Sequence, residues 1–466
     1  MEDEQGLYEK ARKFENKIGN SARNNENILI ASHHDADGVC SSAILSEFIH
    51  RNKGHCQIRT ASEPTAKFLD RLRGSKFDLI IFVDICSGMC DEISKRLGDK
   101  WLIVDHHEIP DSEMDHEQVL NPAQFGFDGT NFVSSSTLCW LIAKSGQDRV
   151  SFLSVVGSIG DRQDVGPRRS LTGLNAKTSN ADSQEFKVID TKIDLLFSSR
   201  DTKPVHESIA NTVSIFIPGL TGNKDACLAS LRGAGIEIKG ATRWRTISDF
   251  SEEEKQRLLE AIVPHLSGTT YTVENLVGSV YSLHSRDEFS VTRDARDLSM
   301  ILCACGRMGK SGIGVSLCLG AESDLSGEIE QILSDYRTEM TRTLQSLLQN
   351  EDRISERGEY AIITGDGLVG ERMTGAVCQA VSSFSRFKNK VVFVRTTTQD
   401  GDVKVSARCG KEKQNMDLGK MMREIASSTS GVGGGLGNAA GLRFSIAKQQ
   451  EFQQMVDSTF SLLKLK

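Results

Sequence analysis

The chain has 466 residues, a formal net charge of -7, 38% hydrophobic residues and 26% charged residues. That length is too great for one hydrophobic core, so two or three domains are expected. The acidic balance excludes a protein that coats nucleic acid through overall positive charge, and any grip on phosphate must come from local basic groups or bound cations.

Residues 6–20 have the spacing of an amphipathic helix. The run Ile28 to Ala31 then reads as a buried strand that stops in His33, His34, Asp35 and Asp37. Gly38 and the stretch Ser41 to Leu45 follow as a helix start. In an open α/β sheet, ligands bind where a strand ends and a helix begins. Asp35 and Asp37 lie two apart, so both face one way if the chain stays extended, and carboxylates that close repel unless a cation lies between them. The bland alternative is an Asx-rich turn capping the helix.

Three later stretches repeat the arrangement. Phe77 to Val83 is a second apolar strand, ending in Asp84. Trp101 to Val104 is a third, ending in Asp105, His106 and His107. Val155 to Gly160 is a fourth apolar stretch, ending in Asp161. Oxygen ligands with imidazole suit manganese or magnesium better than zinc, and no paired thiolates are nearby. Buried strands separated by helical stretches predict a parallel sheet with helices on both faces.

Ser134 to Thr137 open an apolar helix through Ala143. After Asp161 the composition turns polar, with Arg162, Arg168, Arg169 and Lys177. This reads as a solvated linker beside the site, with phosphate contact by Arg168 and Arg169 as the functional alternative. Pro218 to Asn223 is turn-dense, and Ser251 with Glu254 forms a capping box. Arg243-Trp244-Arg245 reads as surface charge around one buried ring, or as a base-stacking spot. Gly306, in Cys305-Gly306-Arg307, reads on the residues alone as a helix C-cap. Steps of three and four from Ile329 to Leu348 predict a long one-sided helix.

Beyond it, Ala361 to Ile363, Val391 to Val394 and Val403 to Ser406 read as strands, the last running into Arg408. The glycine-rich stretch 431–441 reads as a loop whose N–H groups approach a phosphate, with a helix start following. The eleven cysteines have no framework of paired spacings, Met1 to Glu4 is acidic, and no apolar run approaches membrane-spanning length. A cytoplasmic protein with reduced thiols is expected.

Asp35-Ala36-Asp37-Gly38, Asp84, Asp105-His106-His107 and Gly160-Asp161 resemble, in order and spacing, the four motifs of the DHH phosphoesterase superfamily. RecJ-like single-strand exonucleases of archaeal type are the members they most resemble. The resemblance implies a two-lobed α/β protein: a parallel-sheet DHH domain (1–200), an inserted middle section (201–320), a linker helix (321–352) and a smaller α/β DHHA1 domain (353–466). It implies two divalent cations, Mn²⁺ or Mg²⁺, held by Asp35, Asp37, Asp84, His106 and Asp161, with Asp84 the bridge and His33 an outer ligand. His107 then stays outside the metal shell and donates to the phosphate or leaving group, and Asp84 and His107 carry the catalysis.

Ser406, Arg408 and Gly433 to Gly435 become a phosphate grip, with Arg307 a further contact. Leu436 stands where the family pattern has a histidine, which removes a phosphate donor. The implied activity is exonucleolytic hydrolysis of single-stranded DNA or RNA, with the GINS replication complex as partner. The rivals are a phosphodiesterase for short oligonucleotides or cyclic dinucleotides, and a largely non-catalytic replisome scaffold.

Overall fold

The computed structural model describes residues 2–143, 148–180, 189–284, 286, 290–413 and 416–463. The chain forms two compact units, one from Met1–Asp194 and Val277–Ser334, the other from Leu195–Leu276 and Asp335–Lys466.

The first unit starts with helix α1 (Glu4–Arg23), then alternates β1 (Ile28–His33), α2 (Ala36–Arg51), β2 (Cys56–Ala61), α3 (Ala66–Leu72), β3 (Leu79–Val83), α4 (Cys90–Leu97), β4 (Trp101–Val104) and β5 (Val119–Leu120). The strands make one sheet in the order β2-β1-β3-β4-β5, every pair parallel. Strands β3 and β4 are buried along their whole length, as apolar runs covered on both faces must be. Each ends at the same sheet edge, which delivers His33, Asp84 and Asp105 together.

Helices α5 (Ser135–Ala143), α6 (Asp148–Gly160) and α7 (Gly173–Ser179) follow. The fourth apolar stretch is therefore the last turns of a helix, not a strand, and Asp161 leaves it still bonded from its N–H to the Gly157 carbonyl. The whole helix, Asp148–Gly160, has 13 residues, more than a buried strand needs, and its small residues let it pack closely. A Cβ on Gly160 would stand 2.6 Å from the Ala36 Cβ, so α2 and α6 touch there through glycine.

Strand β6 (Ile189–Leu195) pairs with β7 (Val277–Leu283). Between them lie α8 (Val205–Asn211), α9 (Lys224–Gly233) and α10 (Glu252–Ile262). The capping box of α10 forms: Glu254 N–H donates to Ser251 Oγ, and Ser251 N–H donates to the Glu254 carboxylate. Trp244 is 40% exposed, with its ring 5.0 Å from that of His206, so the expected buried ring is open to solvent. Arg243 and Arg245 are both turned away to carboxylates, Asp249 and Glu254, and leave it uncovered.

Helices α11 (Ala295–Arg307), α12 (Ser311–Cys318) and α13 (Glu322–Gln349) come next, and α13 buries Ile329, Ile332, Leu333, Tyr336, Met340, Leu344 and Leu347. The C-terminal sheet holds β8 (Ile354–Arg357), β9 (Tyr360–Thr364), β10 (Val391–Thr397), β11 (Asp402–Cys409), β12 (Val432–Leu436) and β13 (Ala439–Ser445), with α14 (Thr374–Ser382), α15 (Leu418–Thr429) and α16 (Gln449–Leu463). Its order is β12-β13-β11-β10-β9-β8, and only β9 and β10 run parallel.

The glycine-rich stretch is a hairpin of β12 and β13, not a loop entering a helix. Close packing explains why glycine forms a strand here. A Cβ on Gly433 would come within 2.8 Å of the Met422 carbonyl oxygen, and one on Gly435, at φ 143°, within 2.5 Å of that of Ala439. Pairing with β13 satisfies the backbone that approaches so near.

Gly306 lies inside α11, whose C-cap is Met308, so it is no terminator. It is there because the helix crosses the β1 end at backbone contact: a Cβ at Gly306 would lie 1.9 Å from the His34 carbonyl oxygen. Gly306→Ala gains about 1 kcal/mol of helix propensity, but forcing the methyl in costs about 1–3 kcal/mol. The variant should unfold at a lower urea midpoint than the wild type. An unchanged midpoint would mean that α11 does not seat on the His33–His34 segment.

Candidate metal centre

Six side chains from four chain segments converge at the carboxyl edge of the first sheet. His33, Asp35 and Asp84 form one set whose ligand atoms all lie within 4.8 Å of one another, and Asp37, Asp84, His106 and Asp161 form another. Asp84 belongs to both. His33 Nδ1 is 2.7 Å from Asp35 Oδ2 and 3.5 Å from Asp84 Oδ2. His106 Nε2 is 3.3 Å from Asp84 Oδ1 and 2.9 Å from Asp161 Oδ2. Octahedral ligands at 2.0–2.1 Å from a small divalent ion stand about 3–4 Å apart, so these separations suit one ion per set.

Three observations on this chain fit divalent cations. Buried His33 Nδ1, Asp84 Oδ2 and His106 Nε2 face other candidate ligand atoms of the same cluster and make no hydrogen bond of regular geometry. Burial, and then the neighbouring charges of Asp84 and Asp161, push the Asp37 carboxyl well above its ordinary range. Burial and the charge of Asp35 likewise push Asp161 up to about 6. A cation stabilises the ionised form of carboxylates so placed.

The backbone is bent to the same end. Asp84 has φ 61° and Cys86 φ 80°, in the left-handed region that disfavours any residue with a Cβ. Asp35 caps α2, its carboxylate accepting from the Gly38 N–H at 3.2 Å. The first amides of α5 hold Asp37: Ser135 N–H donates to Oδ2 at 2.8 Å and Ser136 N–H to Oδ1 at 3.0 Å. Ser135 Oγ donates to Asp84 Oδ1 at 3.1 Å. A Cβ on Gly157 would fall 2.4 Å from Asp37 Oδ1, so only glycine lets α6 close over that carboxylate.

The histidines are oriented from behind. His106 Nδ1 lies 2.6 Å from the Gly129 carbonyl oxygen, which assigns it the proton and turns Nε2 toward Asp84 and Asp161. Gln163 Nε2 donates to the same carbonyl at 2.9 Å, and Asn175 Nδ2 donates to Gln163 Oε1 at 2.6 Å. Asp105, His106 and His107 with Asp84 form a further close set. Its Asp105 is already engaged, however. Asp105 Oδ1 accepts from the His106 and His107 amides and from His107 Nδ1 at 2.7 Å, and Oδ2 accepts from the Ser87 amide. Asp105 therefore orients His107 instead of binding an ion. Burial alone would lower the His107 pKa, but the Asp105 carboxylate raises it above the ordinary imidazole value.

Sequence reasoning missed Ser135, Ser136, Gly129, Gln163 and Asn175. The serine run read as the start of a helix that the family resemblance implies packs near the metals, without a role for either serine, and nothing in the sequence marks the other three.

Arg307 is the last, half-buried residue of α11, one step beyond the glycine that touches His34. Ser406, Arg408 and the glycines lie in the C-terminal unit. There Ser406, Gly441 and Gly434 fall in one row across β11, β13 and β12. Ser406 Oγ is 2.9 Å from Thr374 Oγ1 at the start of α14, and a Cβ on Gly375 would be 3.5 Å from Arg408 Nη2. Gly433 and Gly435 stand on either side of Gly434 in β12.

Residues 27–154 match the N-terminal domain of the DHH family, residues 196–277 the DHH-CID domain and residues 365–462 the DHHA1 domain. An uncharacterized protein of Methanocaldococcus jannaschii is 28% identical over 441 residues, 92% of each chain. The structure of CDC45 from Entamoeba histolytica is similar with a TM-score of 0.62 at 12% identity, over 97% of this chain and 99% of that one. RecJ from Thermus thermophilus, in complex with Mn²⁺, is similar with a TM-score of 0.53 at 17% identity, over 97% of this chain and 54% of that one. At these identities the two structures speak to the fold. No described helix is long and apolar enough to cross a membrane.

A stability prediction follows from Asp161. Its folded pKa of about 6 exceeds the unfolded value of about 3.9. The stability this group contributes is thus full below about pH 4 and lost as pH rises through about 6. A bound cation offsets that loss. Mn²⁺ at about a hundred times its Kd should raise the melting temperature at pH 7.5 by about 5–10 °C, and by much less at pH 5. Asp84→Asn should remove the shift at both pH values.

Proposed function

Since the chain belongs to the DHH superfamily, we propose that it is a metal-dependent exonuclease that hydrolyses phosphodiester bonds of single-stranded DNA or RNA from an end. The observation that carries this reading is the sharing of Asp84 between two ligand sets. His33, Asp35 and Asp84 would hold one divalent cation, and Asp37, Asp84, His106 and Asp161 the other. Two such cations neutralise charge on a phosphoryl group and make water a better nucleophile near neutral pH. Mn²⁺ is the preferred ion, as the oxygen-rich, imidazole-containing donor set suggests.

The chain's own residues do the rest. Asp84, buried and held at its backbone, fixes the spacing of the two sets. The Asp105 carboxylate raises the His107 pKa and so favours the doubly protonated ring, with the Nδ1 proton shared with Asp105. That leaves Nε2–H to donate to a non-bridging phosphate oxygen, or to the leaving oxygen as the bond breaks. Arg307 is a phosphate contact on the first unit. In the C-terminal unit, Arg408, Ser406 and the Gly433 to Gly435 strand would bind a phosphate, with Gly434, in one row with Ser406, leaving the face opposite its packed neighbours without a side chain.

The setting proposed is DNA replication or repair in the cytoplasm, together with the GINS complex. The full-length likeness to CDC45 supports a replisome role and favours a second reading, a largely non-catalytic scaffold. The complete carboxylate and imidazole set weighs against that second reading. The remaining alternative is a phosphodiesterase for short oligonucleotides or cyclic dinucleotides.

The test uses 5′- and 3′-labelled single strands of DNA and RNA with Mn²⁺. Wild type should shorten the strands from one end. Asp84→Ala should fall below detection, and His107→Ala should lose about 10²–10⁴ in kcat. Activity that survives Asp84→Ala would sink the metal assignment, and cleavage confined to two- to five-mers would move the protein to the short-substrate class. Capture of GINS subunits by a strand-inactive wild type would instead favour the scaffold.

A further inference from the structure

Apart from Gln163, which bonds behind His106, the segment after Asp161 has no place in the chemistry above. Among the described residues, three of its arginines have left-handed backbone: Arg162 at φ 59°, Arg168 at φ 52° and Arg169 at φ 55°. Such a conformation strains a residue with a Cβ, and glycine or asparagine would adopt it more readily. A solvated linker has no reason to keep arginine at all three positions.

Arg162 is pinned on both sides by the metal centre. Before it, Asp161 Oδ2 is 2.9 Å from His106 Nε2, and after it, Gln163 Nε2 donates at 2.9 Å to the Gly129 carbonyl that also takes the His106 Nδ1 proton. Gln163 is fully buried while Arg162 is exposed, so the left-handed bend turns this one side chain outward at the edge of the site.

Further along, buried Asp164 binds Arg169 Nε at 2.8 Å and Arg296 Nη1 at 2.7 Å. Arg296 Nη2 donates to the Arg169 carbonyl at 3.0 Å and to the Ser279 carbonyl at 2.9 Å. Ser279 Oγ donates to the Arg168 carbonyl at 3.3 Å. The backbone of 168–169 is thereby clamped from β7 and α11, and the Arg168 side chain is left exposed. Arg169, which the sequence paired with Arg168 as a phosphate contact, is a brace whose guanidinium is held by Asp164.

We infer that Arg162 and Arg168 form a strand-binding saddle next to the metal centre, gripping backbone phosphates of a single-stranded polynucleotide beyond the phosphodiester being cut. Asp164 and Arg296 are its positioning residues. The inference rests on the phosphodiesterase reading and adds where the polymer runs. Guanidinium suits the task because it stays charged and bonds phosphate in a bidentate way.

The test is fluorescence anisotropy of a labelled twenty-nucleotide strand in EDTA, over a range of salt, with wild type, Arg162→Ala, Arg168→Ala, Arg168→Lys and Arg168→Gly. Each alanine variant should bind about tenfold more weakly, as loss of one charged hydrogen-bonded contact implies. Each should also flatten the slope of log K against log salt by about 0.7. With Mn²⁺, the ratio of kcat/KM for the twenty-mer to that for a dinucleotide should fall by about tenfold. Arg168→Lys should restore most of the salt slope.

Arg168→Gly relieves the backbone while removing the guanidinium, and should bind as weakly as Arg168→Ala. If it binds like wild type, the side chain is not the contact and the inference fails. It fails equally if wild type binds and cleaves and the alanine variants match it in affinity and salt slope. A wild type that neither binds nor cleaves any strand overturns the phosphodiesterase reading, and the saddle with it.

Discussion

Four carboxylates, those of Asp35, Asp37, Asp84 and Asp161, are packed around one point with two imidazoles, and their mutual repulsion is the constraint to which the first unit is built. Left alone, like charges in a low-dielectric pocket would cost several kcal/mol. The fold meets this partly with its own dipoles. The opening amides of α5 point at Asp37, and the Asp35 carboxylate takes the Gly38 amide. What those dipoles leave unneutralised is the force that draws cations in. Affinity for a divalent ion is thus the complement of an electrostatic defect that the protein keeps.

Glycine gives the defect its geometry. Gly38, Gly129, Gly157, Gly160 and Gly306 each press backbone or carboxylate against the site at distances no Cβ would allow. Gly129 lies against the His106 carbonyl, and its own carbonyl fixes the tautomer of the same ring. Helices α2, α6 and α11 can therefore stack directly on the strand ends, and the ligands need little side-chain reach. Short aspartates held by close backbone are better fixed than long glutamates would be.

Much of this was legible in the sequence. A charged residue ending an apolar run is a strong local signal, and His33, Asp84 and His106 each stand at such a break. The parallel sheet follows from buried strands alternating with helices, and the stripe of α13 from its spacing. Other parts were hidden because they depend on tertiary contact. Asp161 leaves a helix, since an apolar stretch of small residues packs in either form. Gln163 and Asn175 bond across the fold and carry no local pattern. Consecutive glycines suggested a loop at 431–441, but β13 on one side and α15 beneath make them a strand. Arg169 looked equivalent to its neighbour until Asp164 was seen to hold it.

The dihedral of Asp84 has a consequence of its own. A glycine at this position would relax the backbone and remove a crowded negative charge, at the loss of the residue common to both candidate ligand sets and of the acceptor for the Ser135 hydroxyl. Durability and chemistry thus pull against each other at a single residue. A descendant released from hydrolysis and retained for its shape alone would no longer need the aspartate, and relief of its backbone would favour replacement once Ser135 and His106 found other partners.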